Sequence, residues 1–406
     1  MTDMTRNAPA GFSGAMTMIF AVAGGLSVAN VYYAQPLLAA MAQDFGIGTA
    51  SIGIIVTVTQ IGYALGLIFI TPLGDILDRR RLITVQSVLL SVALIAAGLA
   101  SSVGLFMAAM IAVGLLSVLV QTLIAFAAVL ASPVTRGRTV GIVTSGVVIG
   151  ILCARFVSGV LSDIGGWRSV YLTSAALTLI MAIILHRMLP DHREEQPKPG
   201  YGSLLRSIPV LFIEEPVLRQ KAGMAFLIFA VFSIFWTSLA LPLGAEPHSM
   251  SHTAIGLFGL AGVAGALAAG GAGRLADRGL GNRTTGVSLG LLLASWGLIA
   301  MLPTSIPALI AGTVLLDLAI QAIHVTNQSA ILSIRPEAKS RIIGGYMVFY
   351  SAGSASGAIA STAIYAQAGW AGVCFLGSAV SLLALIYWAA TLPRRRQRPV
   401  EPCQAG

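Results

Sequence analysis

The sequence predicts an all-α membrane protein of twelve transmembrane helices, built as two pseudo-symmetric six-helix bundles. Three observations predict it. The 406 residues are 56% apolar and only 10% charged, whereas soluble domains run near about 25% charged. Twelve stretches of about 20 apolar residues can be marked, the length that a hydrocarbon core about 30 Å thick asks of a helix. The two halves of the chain also repeat one another at a fixed offset. Only helices or closed barrels satisfy their backbones in lipid, and runs this long and continuously apolar are helices.

The spans fall at 14–38, 51–71, 82–101, 104–130, 139–162, 168–188, 222–243, 254–273, 285–303, 307–334, 342–365 and 371–392. This divides the chain into a polar N-terminus (1–13), an N-terminal bundle (14–189), a linker (190–221), a C-terminal bundle (222–392) and a basic tail (393–406). The linker is the one sizeable hydrophilic insertion, with Pro197, Lys198, Pro199 and Gly200 at its centre. The net charge of +9 is not a nucleic-acid signature, because its distribution follows the loops. Basic residues lie after span 2 (Arg79, Arg80, Arg81), span 4 (Arg136, Arg138), span 6, span 8 (Arg278, Arg283) and span 10 (Arg335, Lys339, Arg341), and again in the tail. The opposite loops hold essentially Arg168 alone. The positive-inside rule then places both termini in the cytoplasm of a bacterium, with the spans in its inner membrane and the basic tail against anionic lipid. No small-residue cleavage site follows span 1, which is expected to stay as an anchor. Cys153, Cys374 and Cys403 have no spacing that suggests a disulfide or a metal site, and no cofactor is implied.

The repeat is legible at an offset of 203. Gly53 matches Gly256, Gly62 matches Gly265, Arg138 matches Arg341, Gly141 matches Gly344, Gly150 matches Gly353, and Gly166-Trp167 matches Gly369-Trp370. Duplicated six-span halves are how one class of carrier forms a pocket between two rocking domains. The arrangement resembles the major facilitator superfamily over nearly the whole chain. The loop Gly74-Asp75-Ile76-Leu77-Asp78-Arg79-Arg80-Arg81 is similar to that superfamily's Gly-x-x-x-Asp-Arg signature, and Gly273-Arg274-Leu275-Ala276-Asp277-Arg278 repeats it after span 8. The first copy lacks the glycine that usually precedes its final arginines. Gly74 is expected to permit a tight exit from the helix. The resemblance implies that Asp78 sits against the positive N-terminus of span 11, so that Gly74, Asp78, Arg79, Gly273, Asp277 and Arg278 act in gating. The alternative is a solvated basic loop that only sets topology.

Span 10 carries the polar residues that most need explaining. Asp317, Gln321, His324 and Gln328 step by four, three and four, so they form one stripe on a helix, with Asn327 beside it. Ionisable groups inside a membrane are costly and usually face a bundle interior or a substrate path. Arg155 in span 5 is the other such group. At 1.5 Å per residue it lies about two-thirds of the way across from the cytoplasmic side, at nearly the depth of Asp317. An arginine keeps its proton and needs a partner. Arg155 and Asp317 are therefore expected to face each other, directly or through substrate, in one state of the cycle. The alternative is that Arg155 reaches outward or pairs with Ser158 and backbone. Gly146, Gly150 and Ala154, four apart, form a small-residue face on the same span. Drug–proton antiporters of the superfamily carry a Gly-Pro-x-x-Gly-Gly run here. Aligned on Gly166-Trp167-Arg168, that run falls on Ala154-Arg155 and Ser158-Gly159, with Arg155 in place of the proline.

Asp317 and His324 are the candidates for proton coupling, since an acid and an imidazole share one stripe. In the superfamily spans 1, 4, 7 and 10 line the cavity. Accordingly Asn30, Tyr33 and Gln35 of span 1, Gln121 of span 4, and Trp236 of span 7 join Arg155, Asp317, Gln321, His324, Asn327 and Gln328 as candidate substrate-binding residues. Tyr33 and Trp236, each taken singly, are equally explained by packing. The run from Leu316 to Gln328 with the 335–341 loop, together with Asn30-Val-Tyr-Tyr33-Ala-Gln35-Pro36 and the Arg155 run, resembles a narrower bacterial subgroup within the drug-efflux-like branch. The expectation is a monomeric secondary transporter, not an enzyme. It would export a small organic molecule against protons by alternating access, and proton-coupled uptake of a small polar solute is the alternative. A passive channel predicts unsaturable flux, and a sensor predicts a signalling domain that the chain lacks.

Overall fold

The computed structural model describes residues 14–132, 135–190, 200–268, 270–335 and 338–392. Side chains at 75, 266–268, 270, 273, 274, 276, 277, 339 and 340 are not among those described. All regular structure among the described residues is helical. Among the described residues, seven continuous helical stretches are long and apolar enough to cross a membrane. Two of them, α7 (Arg136–Met188) and α15 (Lys339–Ala390), are each two crossings, broken at Gly166 (φ 74°) and Gly369 (φ 58°). A residue with a Cβ pays a steric penalty at positive φ, so the chain reverses where the repeat places a glycine. With the shorter α1 (Gly14–Ala29) and α11 (His252–Ala268), and the nineteen-residue α13 (Gly281–Ile299), the count among the described residues is twelve.

Several spans differ from their sequence-based bounds for local reasons. Span 1 is not one helix. α1 ends at Ala29, residues 30–34 form a turn, Pro36 sits in a 3₁₀ turn (Gln35–Leu37), and α2 (Leu38–Phe45) follows. Span 2 is α3 (Ile54–Phe69) and span 3 is α4 (Arg79–Gly98). Span 4 is divided at Val118 into α5 (Val103–Ser117) and α6 (Leu119–Leu130). The linker carries its own helix, α8 (Tyr201–Glu214), which buries Leu204 and Leu211. Its Tyr201 hydroxyl donates to the Phe69 carbonyl at 2.8 Å, and Phe212 stacks on Phe349 at 5.2 Å. Span 7 starts six residues before 222, as α9 (Pro216–Ser238), and continues through α10 (Ala240–Gly244). Span 8 ends with α12 (Gly270–Leu275), and span 10 is α14 (Ile306–Leu332).

The repeat is visible in packing. A Cβ on Gly62 would strike the Ile111 carbonyl of α5, and one on Gly265 the Val314 carbonyl of α14. Ser102 caps α5 by accepting from the Leu105 N–H, and Ser305 caps α14 by accepting from the Ala308 N–H. The small face of span 5 does what its spacing predicts, since Gly146 and Gly150 lie directly against Ala21 and Gly25 of α1. Large apolar side chains such as Val92, Ile183, Phe375 and Ile386 remain exposed on the outside, where lipid covers them.

The two halves meet along two seams. On one, Gly53 of the α3 entry turn lies against the Ala358 carbonyl of α15, while Thr57 donates to the Ala355 carbonyl at 2.9 Å and Thr362 to the Ala50 carbonyl at 3.2 Å. On the other, Gly256 of α11 lies against the Arg155 carbonyl and 2.9 Å from the Phe156 Cα position, if it bore a Cβ. Asp163 accepts from the His252 and Thr253 N–H groups at 3.2 and 2.8 Å. Both seams lie at the end of the bundle away from the arginine-rich loops.

Candidate functional site

Arg155 sits on α7 one turn before Gly159, in the seam with α11. Close backbone approach there, through Gly256 and Gly259, turns its side chain inward between the halves. It is 1% exposed. Its Nε donates to Gln35 Oε1 at 2.8 Å, and Nη1 makes a long 3.5 Å contact with the Ile151 carbonyl. The guanidinium lies 3.9 Å from the centre of the Trp236 ring and 5.3 Å from those of Tyr32 and Phe232. Nη2 has no hydrogen-bond partner.

Asp317 on α14 is also 1% exposed. Its Oδ1 accepts from Trp236 Nε1 at 3.2 Å, and Oδ2 has no partner. The indole of Trp236 thus stands between the two charges, with its face to the guanidinium and its N–H edge to the carboxylate. Arg155 and Asp317 thus contact the same indole, and no direct hydrogen bond joins them. Room for this arrangement comes from α11: a Cβ on Gly259 would lie 3.2 Å from Arg155 Cβ, and one on Gly262 would collide with Asp317 Oδ2 and lie 3.3 Å from Trp236 Cζ2. Ser158 donates to the Arg155 carbonyl at 3.1 Å and leaves the guanidinium alone.

A belt of aromatic rings continues from this pair. The hydroxyls of Tyr32 and Tyr350 touch across the halves. Tyr350 packs on Phe229 at 3.9 Å between ring centres, and Phe229 meets His324 edge-on at 5.1 Å. His324 is half-buried and its Nδ1 is 2.9 Å from the Tyr346 hydroxyl. Gln321 and Gln328 are likewise half-buried, one turn to either side of His324 on α14, whereas Asn327 is fully buried. Gln121 is half-buried and donates to the Tyr63 hydroxyl at 3.4 Å.

Two expected cavity residues do not join this cluster. Asn30 donates to the Leu26 and Ser27 carbonyls and accepts from Ser174 of span 6 at 2.6 Å. Tyr33 borders an apolar groove between α1 and α7 with Met18, Ile149 and Leu177. The three-residue spacing of Asn30 and Tyr33 assigns them to one helical face, but α1 ends at Ala29 and the turn re-aims both into the first half. Tyr32 takes the inward place instead. Sequence reasoning misses Tyr32, Phe232, Tyr350, Gly259 and Gly262. The Gly256-Gly259-Gly262-Gly265 spacing on α11 is the signal in the sequence that could have found the last two.

The signature loop departs from expectation. Among the described residues Asp78 has no partner at the N-terminus of span 11, where 336 and 337 and the side chains of 339 and 340 are not described. It caps its own helix α4, accepting from the Arg81 N–H at 2.8 Å. Gly74 lies in a 3₁₀ turn (Thr71–Asp75) without positive φ, so its freedom is not used, and its carbonyl accepts from Arg79 Nε at 3.0 Å. In the second copy Arg278 is exposed and Gly279 takes φ 76°, while Gly273 and Asp277 lie outside the residues whose side chains are described.

Known proteins agree with this architecture. The family model described as Major Facilitator Superfamily matches residues 20–241 and 221–404. The putative uncharacterized transporter YgaY of Escherichia coli K12 is 44% identical over 376 residues, covering 93% of this chain and 95% of that protein. The probable transporter SCO4007 of Streptomyces coelicolor is 33% identical over 97% of this chain and 92% of its own. Among solved structures, a mutant of the nucleoside transporter NupG superposes with a TM-score of 0.75 at 14% identity, covering 93% of this chain and 100% of that one, a likeness of fold alone. Two six-span halves, seams between them and these relatives lead to one statement: this chain belongs to the major facilitator superfamily of membrane transporters.

Proposed function

We propose that the protein is a secondary active transporter of a bacterial inner membrane, with both termini cytoplasmic. It exports a small organic molecule in exchange for protons by alternating access. The observation that carries this reading is the buried Asp317, whose Oδ2 is unpartnered beside Arg155 where the two halves meet. A carboxylate in that position holds either a proton or a donor group of the substrate, and not both. Competition of this kind at one site couples the two flows in opposite directions. Substrate reaches Asp317 from the side lined by Gln321, His324 and Gln328, and Gln35 and Trp236 hold Arg155 and Asp317 in place. His324 serves as a second proton-binding group on the same path. The skew of arginines toward one face supports the topology, and the protein acts as a monomer, each chain carrying a complete pair of halves.

Arg155 favours a second reading. It stands where drug–proton antiporters have a proline, and its Nη2 is free to take an anion. An anion there leaves Asp317 without a counter-charge, so anion and proton would travel together as in uptake by symport. Everted membrane vesicles with an imposed pH gradient, read by a pH-sensitive dye while candidate solutes are added, separate the two. Exchange releases protons from the vesicles when substrate enters, and symport carries both in one direction. Flux that ignores the gradient in wild type and in Asp317→Asn alike overturns proton coupling altogether.

A further inference from the structure

Arg155 and Asp317 are opposite full charges, both 1% exposed, and each is half satisfied. The guanidinium uses Nε on Gln35 and leaves Nη2 bare, and the carboxylate uses Oδ1 on Trp236 and leaves Oδ2 bare. A buried charged atom without a partner is costly, and a ligand that supplies one relieves that cost. A purely anionic ligand would satisfy Nη2 and leave Oδ2 bare, and a purely cationic one would do the reverse. A neutral ligand can reach both but brings weaker bonds to each. The arrangement is matched by a molecule that carries its own acid and amine a short distance apart.

The geometry points to a zwitterionic substrate of the α-amino-acid class, its carboxylate on Arg155 Nη2 and its ammonium on Asp317 Oδ2, with an apolar or aromatic body. This rests on the transport reading above and assigns its substrate class. Two observations specify the body. Tyr32 and Phe232 flank the guanidinium at 5.3 Å, and Phe229 and Tyr350 continue the ring belt toward His324. The Trp236 indole, lying between them, sets their separation and supplies a flat wall. The amine and a proton then compete for the same carboxylate oxygen, which is the exchange described above in chemical terms.

The test uses the purified full-length protein and the standard protein α-amino acids in a thermal-shift screen, followed by calorimetry on whichever stabilises it most. Two analogues of that compound are compared with it, one lacking the carboxylate and one lacking the amine. The expected result is that each analogue binds about tenfold more weakly or worse, the loss of one charge-assisted bond. Asp317→Asn should weaken the amino acid and leave the amine-free analogue unchanged. The wild-type analogue series stands on its own where that variant folds poorly. Absence of binding by every amino acid, or an analogue that binds as tightly as its parent, overturns the assignment. Amino acid binding without proton exchange removes the transport coupling and leaves the ligand class standing, whereas proton exchange driven only by other solutes does the opposite.

Discussion

The two seams between the halves share one backbone arrangement and carry different side chains. Gly256 meets the Arg155 carbonyl as Gly53 meets the Ala358 carbonyl, and Ala358 is the residue 203 positions after Arg155. Gly262 makes room for Asp317, and the corresponding residues of the first half are Thr59 and Gly114, again in contact. Duplication thus supplies a closing surface twice, and charge has been placed on one copy only. On the proposed cycle, closure would rest on the symmetric backbone and recognition on the asymmetric side chains.

Charge should separate the seams most. Asp317→Ala leaves Arg155 buried and uncompensated, a change that costs about 3 kcal/mol where such groups are studied. A clear fall in melting temperature in detergent is expected, with most of it recovered in the double variant Arg155→Leu, Asp317→Leu. Ala358→Arg on the quiet seam should destabilise without recovery, because Gly114 offers no carboxylate. Equal behaviour of the two seams in this series would break the comparison.

Backbone variants should instead act alike. Gly53→Val and Gly256→Val each force a side chain into a facing carbonyl, and overpacking of this sort costs about 1–3 kcal/mol. That shifts a two-state balance about tenfold toward the open seam. Alkylation of a cysteine introduced at Thr253 reads the opening, and it should rise in both variants. A response to Gly256→Val alone would mean that the seams do not open together.

The smallest effect is expected at Asp163, which lies beyond the apolar part of span 5. Burial pushes its carboxyl up, but hydrogen bonds from Thr253 and His252 outweigh that and hold it at about 2. A carboxyl held below its unpaired value of about 3.9 favours the closed seam above that pH and loses this contribution as pH falls toward 2. Asp163→Ala should weaken closure by about 1 kcal/mol, the usual scale of a lost helix cap. The same cysteine reporter, read at one fixed pH, checks the variant.

These differences also mark what the sequence could reveal. The spans, the repeat and the depth of Arg155 and Asp317 follow from hydropathy, spacing and rise per residue, because lipid enforces all three. The inward face of span 1 does not follow, since the helix ends at Ala29 and helical spacing no longer applies to Asn30 and Tyr33. Resemblance assigns Asp78 to a neighbouring helix, and the chain gives it a nearer N-terminus, its own. Trp236 is recognisable in the sequence by its polar edge, but its position between the two charges depends on how α9 packs against α7 and α14. Spacing along a single helix does not encode that.

The placement of both charges on one seam has an electrical consequence. With Asp317 ionised, the pair sums to zero, so on the proposed alternating-access cycle the membrane potential does no net work on the site. A zwitterion adds nothing to that balance. Proton binding at Asp317 leaves the charge of Arg155 unopposed, and moving one such charge through the full field involves about 2.3 kcal/mol per 100 mV. On the proposed cycle the substrate-loaded step is blind to voltage and the proton-loaded return is driven by it.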